Sequence, residues 1–272
     1  MSIDILICTI DHGIESVPGV LLKPLECVRY IVSMQFTDEK YLNTIPEILK
    51  NRKDVLIITM EGRGLTRNRN NALAASDADI VMIADDDERI SPAAVEIVRK
   101  TYIDHPEVDI ALFRLNDIED QPFKDYPDGE QLEYREACRQ GYYPSSLEIT
   151  MRGKVVREGL RFNQQFGLGS QFPCGEEDIL LCDASRRNHS VMLFDQVIAQ
   201  TIAGSTGSKF LTDINIQRAK GAVFRYCFGK WNAIWRITKE ACFYLIHKGR
   251  NPFPLFHYMM LGVKQVKPLL PE

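Results

Sequence analysis

Residues 80–88 read Ile-Val-Met-Ile-Ala-Asp-Asp-Asp-Glu, an apolar run that stops in four consecutive acids. Five apolar residues rich in Ile and Val, bounded by Asp79 and Asp85, predict a strand buried on both faces. A strand of this kind belongs in a parallel sheet covered by helices, and open α/β sheets place their ligands at the carboxyl ends of their strands. Four neighbouring carboxylates at that edge repel one another, and desolvating them is costly unless positive charge compensates. A hard divalent cation, Mg²⁺ or Mn²⁺, suits such oxygen donors. It typically keeps one or two protein carboxylates and fills its shell with waters and substrate phosphates. The acidic run therefore points to a phosphorylated substrate. The competing reading is a solvated acidic turn ahead of a helix opening at Ser91-Pro92, where the helix dipole favours Asp and Glu.

The chain before this strand alternates in the same style. Ile3 to Ile10 is apolar and β-branched and ends in Thr9, Asp11, His12 and Gly13, a first buried strand running into a polar loop that brings Asp11 to the ligand edge. Tyr30 to Met34 predicts a second strand, which stops at Gln35. Tyr41 to Lys50 predicts a helix, and Val55 to Met60 a third strand. Alternation at this spacing is that of parallel βαβ units. The predicted class is α/β, a Rossmann-like fold with a mixed, mainly parallel central sheet flanked by helices, plus a C-terminal helical segment. After the acidic run, Glu107 to Leu115 predicts a further strand, 116 to 141 a polar excursion over the active face with too few apolar positions for core, and Ser145 to Val156 strand again.

Between the third strand and the acidic one lies Gly64-Leu65-Thr66-Arg67-Asn68-Arg69-Asn70. Leu65, Leu73 and Ala74 give it an apolar face for a helix to about Ser76, and Thr66 can cap it. The helix N-terminus with Arg63, Arg67 and Arg69 makes an anion-attracting corner, although three arginines on a helix are also what a solvated face carries. This helix and the Asp85-Asp86-Asp87 that follows resemble the Gly-Leu-Ser-x-Ala-Arg-Asn helix and Asp-x-Asp motif of glycosyltransferase family 2, whose members have the GT-A fold. Arg161 to Gly169 resembles that family's Phe-Asp-Glu-x-Phe-Gly-x-Gly loop, and Gly175-Glu176-Glu177-Asp178 the Gly-Glu-Asp that opens its acceptor-side helix. The three motifs occur in the family's order and extend the resemblance over residues 1 to about 207.

The resemblance implies an inverting, metal-dependent transfer of a sugar from a nucleoside-diphosphate-sugar donor to a hydroxyl of a glycan, lipid-linked in type, in the building of bacterial surface polysaccharide. It implies Asp85 at the ribose, Asp87 as ligand of Mg²⁺ or Mn²⁺, Thr9, Asp11, Gln35, Arg67, Arg69, Asn70 and Asp86 around the donor, and a base among Glu176, Glu177 and Asp178, with Glu177 or Asp178 favoured. Two departures stand out. Ser33, Met34 and Gln35 occupy the corner where the family's second strand usually ends in Asp, and no His follows the strand after the acceptor helix, where Thr201 to Gly207 runs instead. Nucleotidyl transfer is a different class on similar sheet chemistry, but it calls for a Gly-rich, Lys-containing phosphate loop after the first strand, which is missing. A third class is a non-catalytic, membrane-docked binding module.

Charge divides the 272 residues unevenly. Residues 1 to 208 carry 22 Lys and Arg against 34 Asp and Glu, net −12, whereas 209 to 267 carry 11 against 2, net +9. We therefore expect a catalytic, nucleotide-sugar-binding domain over 1–208 and a basic amphipathic extension over 209–272 that contacts a membrane surface, with no nucleic-acid partner. Packing on the sheet is the alternative for the extension. The seven cysteines are scattered without Cys-x-x-Cys spacing, which predicts buried thiols in a reducing compartment. No signal-like segment opens the chain, and no apolar run approaches the roughly 18 residues of a membrane span. The expected location is the cytoplasm, at the cytoplasmic face of the inner membrane.

Overall fold

In the computed structural model, which describes residues 1–201, 209–248 and 251–266, the elements run β1 (Ile3–Ile10), β2 (Val28–Phe36), α1 (Glu47–Lys50), β3 (Val55–Glu61), α2 (Leu65–Ala74), β4 (Ile80–Asp85), β5 (Arg89–Ile90), α3 (Ala94–Asp104), β6 (Ile110–Asn116), β7 (Gln131–Glu133), α4 (Tyr134–Arg139), β8 (Ile149–Arg152), α5 (Gly153–Arg157), α6 (Glu176–Arg186), β9 (Val191–Gln200), α7 (Ile214–Phe228), α8 (Lys230–Lys248) and α9 (Phe253–Gln265). They divide into two units. One comprises Met1–Arg161 with Asp183–Ala203, the other Phe162–Cys182 with Gly204–Glu272.

The first unit holds the nine described strands in one sheet of order β3-β2-β1-β4-β8-β6-β9-β5, with β7 added on β9. β3, β2, β1 and β4 are mutually parallel, and so are β6 and β9. β8 runs antiparallel to both β4 and β6, and β5 and β7 run antiparallel to β9. The expectation of a mainly parallel sheet thus holds for one half, and the other half is mixed. Strand direction is invisible in a short apolar run, which reads the same either way. Ile3, Ile5, Ile7, Val32, Met34, Ile80 and Met82 are fully or almost fully buried and share one core with Val98, Tyr102 and Phe113. Each such side chain contributes roughly 1.5–3 kcal/mol by leaving water.

Several predicted elements differ in extent. The helix predicted over 41–50 is a 3₁₀ turn, Glu39–Thr44, followed by the single turn α1. Pro46 explains the break, because it lacks an N–H and drives Ile45 out of the helical region, to ψ 116°. α2 starts after Gly64 as its N-cap, and Thr66 lies buried inside the helix instead of capping it. Strand character over 145–156 is confined to the four residues of β8, between a 3₁₀ turn (Ser146–Glu148) and α5. The 116–141 excursion does contribute core and sheet: β7 pairs with β9, and Tyr134 and Ala137 of α4 are buried.

The second unit is helical. α7 and α9 pack backbone to backbone: a Cβ on Gly221 would stand 1.9 Å from the Met259 carbonyl oxygen, and one on Gly262 1.9 Å from that of Arg218. Ala219, Ala222, Val223 and Tyr226 of α7 cluster with Phe166, Phe172 and Ile179. Ala233 and Ile237 of α8 pack with Leu255, Met259 and Val263 of α9. None of the seven cysteines, all among the described residues, is in a disulfide, but Cys27, Cys138 and Cys242 are exposed, so burial holds for only part of the set.

Candidate active site

The parallel register sets the site. Cys8 of β1 lies opposite both Ser33 of β2 and Asp85 of β4, so the carboxyl ends of three strands finish together and deliver Thr9, Gln35 and the acidic turn to one edge. α2 is locked under that edge by Asn68. Its amide donates to the carbonyls of Thr9 (2.9 Å) and Ser33 (3.0 Å), and its side-chain oxygen accepts from Ser33 Oγ at 2.6 Å. This gives Ser33 a structural account, as a buried hydroxyl tying β2 to α2. From sequence Ser33 stood out only as a departure at the end of the second strand and Asn68 only as part of the helix motif, although an Asn inside a helix, where its propensity is poor, is a usable signal.

Each acid of the turn has its own surroundings. Asp85 accepts from Arg69 Nη2 at 3.1 Å and from Ser146 Oγ at 3.2 Å. Arg69 is buried, so this charge-assisted contact is shielded from water and fixes the carboxylate. Asp86 accepts a short hydrogen bond from Thr9 Oγ1. Gly13 is confined by that pair: a Cβ there would come within 2.3 Å of Asp86 Oδ2 and 2.4 Å of Thr9 Oγ1. Burial raises the Asp86 pKa against the pull of Thr9, and repulsion from Asp87 and Asp85 adds to the rise. Asp87 is exposed and takes no hydrogen bond from any described residue. Glu88 is buried and accepts from Thr201 Oγ1 at 3.1 Å, while its Oε2 meets no hydrogen-bond donor among the described residues. Burial, with repulsion from Asp85 and Asp87, pushes its pKa up to about 8. Glu88 was read from sequence only as the end of the acidic run.

The remaining donor-side candidates are spread around this centre. Asp11, at a left-handed φ of 51°, accepts from the backbone N–H of Thr37 (2.8 Å) and from its hydroxyl. Gln35 is buried opposite Ile10 with its amide nitrogen 3.7 Å from Met60 Sδ. Arg67 is exposed and Asn70 half-buried on α2. The excursion has a defined anchor. Buried Glu148 accepts from Lys124 Nζ (2.7 Å), Tyr126 Oη (2.6 Å), Tyr142 Oη (3.0 Å) and Ser145 N (2.7 Å), which fixes the turn carrying Ser146 to Asp85. Beyond the acidic turn an open cleft of about 470 Å³ is lined by Arg89, Ser91, Asn116, Asp120 and Gln200 among others.

Glu176, Glu177 and Asp178 belong to the second unit, in the first turn of α6 after Gly175, whose φ is 93°. Glu176 is buried, and Glu177 and Asp178 are half-buried. Cys174 registers this cluster: its pKa is pushed up to about 12 by burial and then by the charges of Glu176, Glu177 and Asp178. Most of the predicted run after β9, 202–208, lies outside the described residues.

Among the described residues no three His, Cys, Asp or Glu side chains converge to cage a metal. A cage is not what Mg²⁺ requires. One exposed carboxylate beside acids that other groups already hold fits a cation that takes one or two protein oxygens and completes its shell with water and phosphate. Asp87 is that carboxylate.

Residues 38–158 match the sequence model described as "Glycosyl transferase family 2", a stretch that contains α2 and the acidic turn. No curated protein matches the chain in sequence. By structure it is similar to S. aureus TarS, with TM-score 0.58 and 14% identity over 92% of this chain and 44% of that one. It is similar to S. aureus TarS 1-349 in complex with UDP-GlcNAc, with TM-score 0.59 and 14% identity over 93% and 74%. A mycobacterial protein follows with TM-score 0.54 and 13% identity over 83% and 74%. The chain thus spans less than half of the first of these, and the likeness is one of fold. The first unit is a GT-A-like α/β fold whose residues 38–158 carry the sequence pattern of glycosyltransferase family 2.

Proposed function

We propose that the chain is a glycosyltransferase that moves a sugar, with inversion, from a nucleoside-diphosphate-sugar to a hydroxyl of a lipid-linked glycan in bacterial surface-polysaccharide synthesis. The observation that carries this reading is the acidic turn at the carboxyl edge of β4, inside the family-matching stretch, where Asp85 is clamped by Arg69 and Asp87 faces water. TarS, crystallised with UDP-GlcNAc and with UDP, shares the fold. In this reading residues 1–208 bind donor and catalyse, and 209–272 face the membrane.

Asp85 orients the ribose, with its own geometry set by Arg69 and Ser146. Thr9, Asp11, Gln35, Arg67, Asn70 and Asp86 line the donor side, and the guanidinium groups of α2 favour the diphosphate. Asp87 would hold a divalent cation, which when bound supplies positive charge to the leaving diphosphate. The acceptor oxygen bonds to the anomeric carbon as the bond from that carbon to the diphosphate oxygen breaks, and the diphosphate leaves with the electron pair. A carboxylate of Glu176, Glu177 or Asp178 takes the hydroxyl proton. Successive helical residues point about 100° apart, so one of the three serves and its neighbours complement the α6 N-terminus.

The products test the reaction class. Glycosyl transfer or slow donor hydrolysis releases nucleoside diphosphate, nucleotidyl transfer releases pyrophosphate, and a binding module releases neither. Amide substitutions at the three acids locate the base, which is expected to lose on the order of 10² to 10⁴ in kcat with donor affinity nearly unchanged. If all three variants stay within a few-fold of wild type, the base lies elsewhere.

A further inference from the structure

α8 is apolar on two opposite sides. Its inner side, Ala233, Ile237 and Ala241, is buried, and Ala233 and Ile237 pack against α9. At about 100° per residue, Trp231, Trp235, Cys242 and Ile246 fall within about 60° of one another on the other side. Trp231 is 78% exposed, Trp235 63% and Ile246 74%, with Phe243, Leu245 and the neighbouring Phe253 also exposed. A helix that only packs on its own unit has one apolar face and one polar face. This second apolar face is rimmed by cations. Lys230 Nζ lies 5.7 Å from the Trp231 ring centre, Lys239 Nζ 5.8 Å from that of Trp235, and Arg236 stacks 3.8 Å over Phe228. The helix has one acid, Glu240, which is paired with Lys220 of α7 at 3.1 Å. No described helix is long and apolar enough to cross a membrane.

We infer that the outer face of α8 is an in-plane docking surface for anionic phospholipid. The occupant follows from charge and side-chain chemistry together. Tryptophans beside lysines suit the boundary between acyl chains and phosphate headgroups, and a rim of cations whose single acid is already paired favours an anionic surface. Each Lys or Arg near an anionic surface adds about 1 kcal/mol, and the apolar side chains add burial to it. The inference deepens the proposal of a lipid-linked acceptor and rests on it only for its purpose. Vesicle binding is measured without donor or acceptor, so the two can fail separately.

The chain contains two tryptophans, both on this face, so its intrinsic tryptophan emission reports the face directly. Phosphatidylglycerol vesicles are expected to shift the emission to the blue and protect it from acrylamide, with the effect fading as salt rises. Phosphatidylcholine vesicles should do so much more weakly. The double substitution Lys230→Gln with Lys239→Gln should weaken partitioning about thirtyfold, at about 1 kcal/mol per charge, with an unchanged circular dichroism spectrum. Trp235→Ser, which leaves Trp231 as reporter, should weaken it as well. Equal shifts with the two lipids, or none with either, overturn the inference. So does a blue shift that grows with protein concentration without lipid, which would assign the face to a second copy of the chain.

Discussion

The acidic turn and α8 solve opposite problems. At the turn, Asp86 and Glu88 are withdrawn from water with hydroxyls, those of Thr9 and Thr201, as their hydrogen-bond donors, and both have raised pKa values. In α8, two tryptophans and Ile246 stand in water although burial would stabilise them. One region holds charge where the medium penalises it, and the other holds apolar surface where the medium penalises that. Each cost lies at a surface where a partner of matching chemistry would relieve it, a cation with a diphosphate in the first case and a lipid boundary in the second.

The sharpest way to break the comparison is at Asp87. Asp87→Asn is expected to lower kcat/KM by on the order of 10³ with an unchanged melting temperature, because Asp87 makes no hydrogen bond to a described residue. Wild-type activity in that variant would remove the turn from the chemistry. Glu148→Gln tests whether the turn is held from the excursion side. It leaves Lys124 in a buried site without its carboxylate, so unfolding measurements should show a loss of about 3–5 kcal/mol. A neutral result would mean that the Ser146 contact to Asp85 needs no such anchor. Gly13→Ala forces the Thr9–Asp86 pair apart, with an expected cost of about 1–3 kcal/mol in stability and weaker donor binding by calorimetry.

The smallest expected effect concerns Glu88. Its folded pKa of about 8 stands above the ordinary 4.5, so between those values the folded state holds a proton that the unfolded state has released. Stability is therefore complete below about 4.5 and falls as pH rises towards 8. Glu88→Gln in the presence of chelator should remove about 1 kcal/mol of that fall, or about 2–4 °C in Tm, with relaxation of the turn absorbing the rest. Parallel wild-type and variant stability curves across this window would show that Glu88 does not carry the penalty.

The sequence was most informative where a local pattern decides structure. β1, β3 and β4 follow from β-branched runs, and the meeting of α2 with the acidic turn follows from their spacing. It was least informative where long-range pairing decides. The antiparallel direction of β8 depends on strands far away in the chain, and the Glu148 cluster joins Lys124, Tyr126 and Tyr142, none of which carries a motif. Ser33 and Asn68 show the same limit at the site, because their hydrogen bond spans 35 residues. The helical, basic and amphipathic character of the extension was legible in the sequence, and the second apolar face of α8 was not. Which face is covered required the positions of α7 and α9.

The most direct test of the central claim is calorimetric titration of the wild-type chain with UDP-GlcNAc and a panel of other nucleoside-diphosphate-sugars, with Mn²⁺ and with chelator, alongside Asp87→Asn. The account predicts saturable binding of at least one donor that needs Mn²⁺ and is lost in the variant. Binding that is indifferent to both chelator and Asp87→Asn would contradict it.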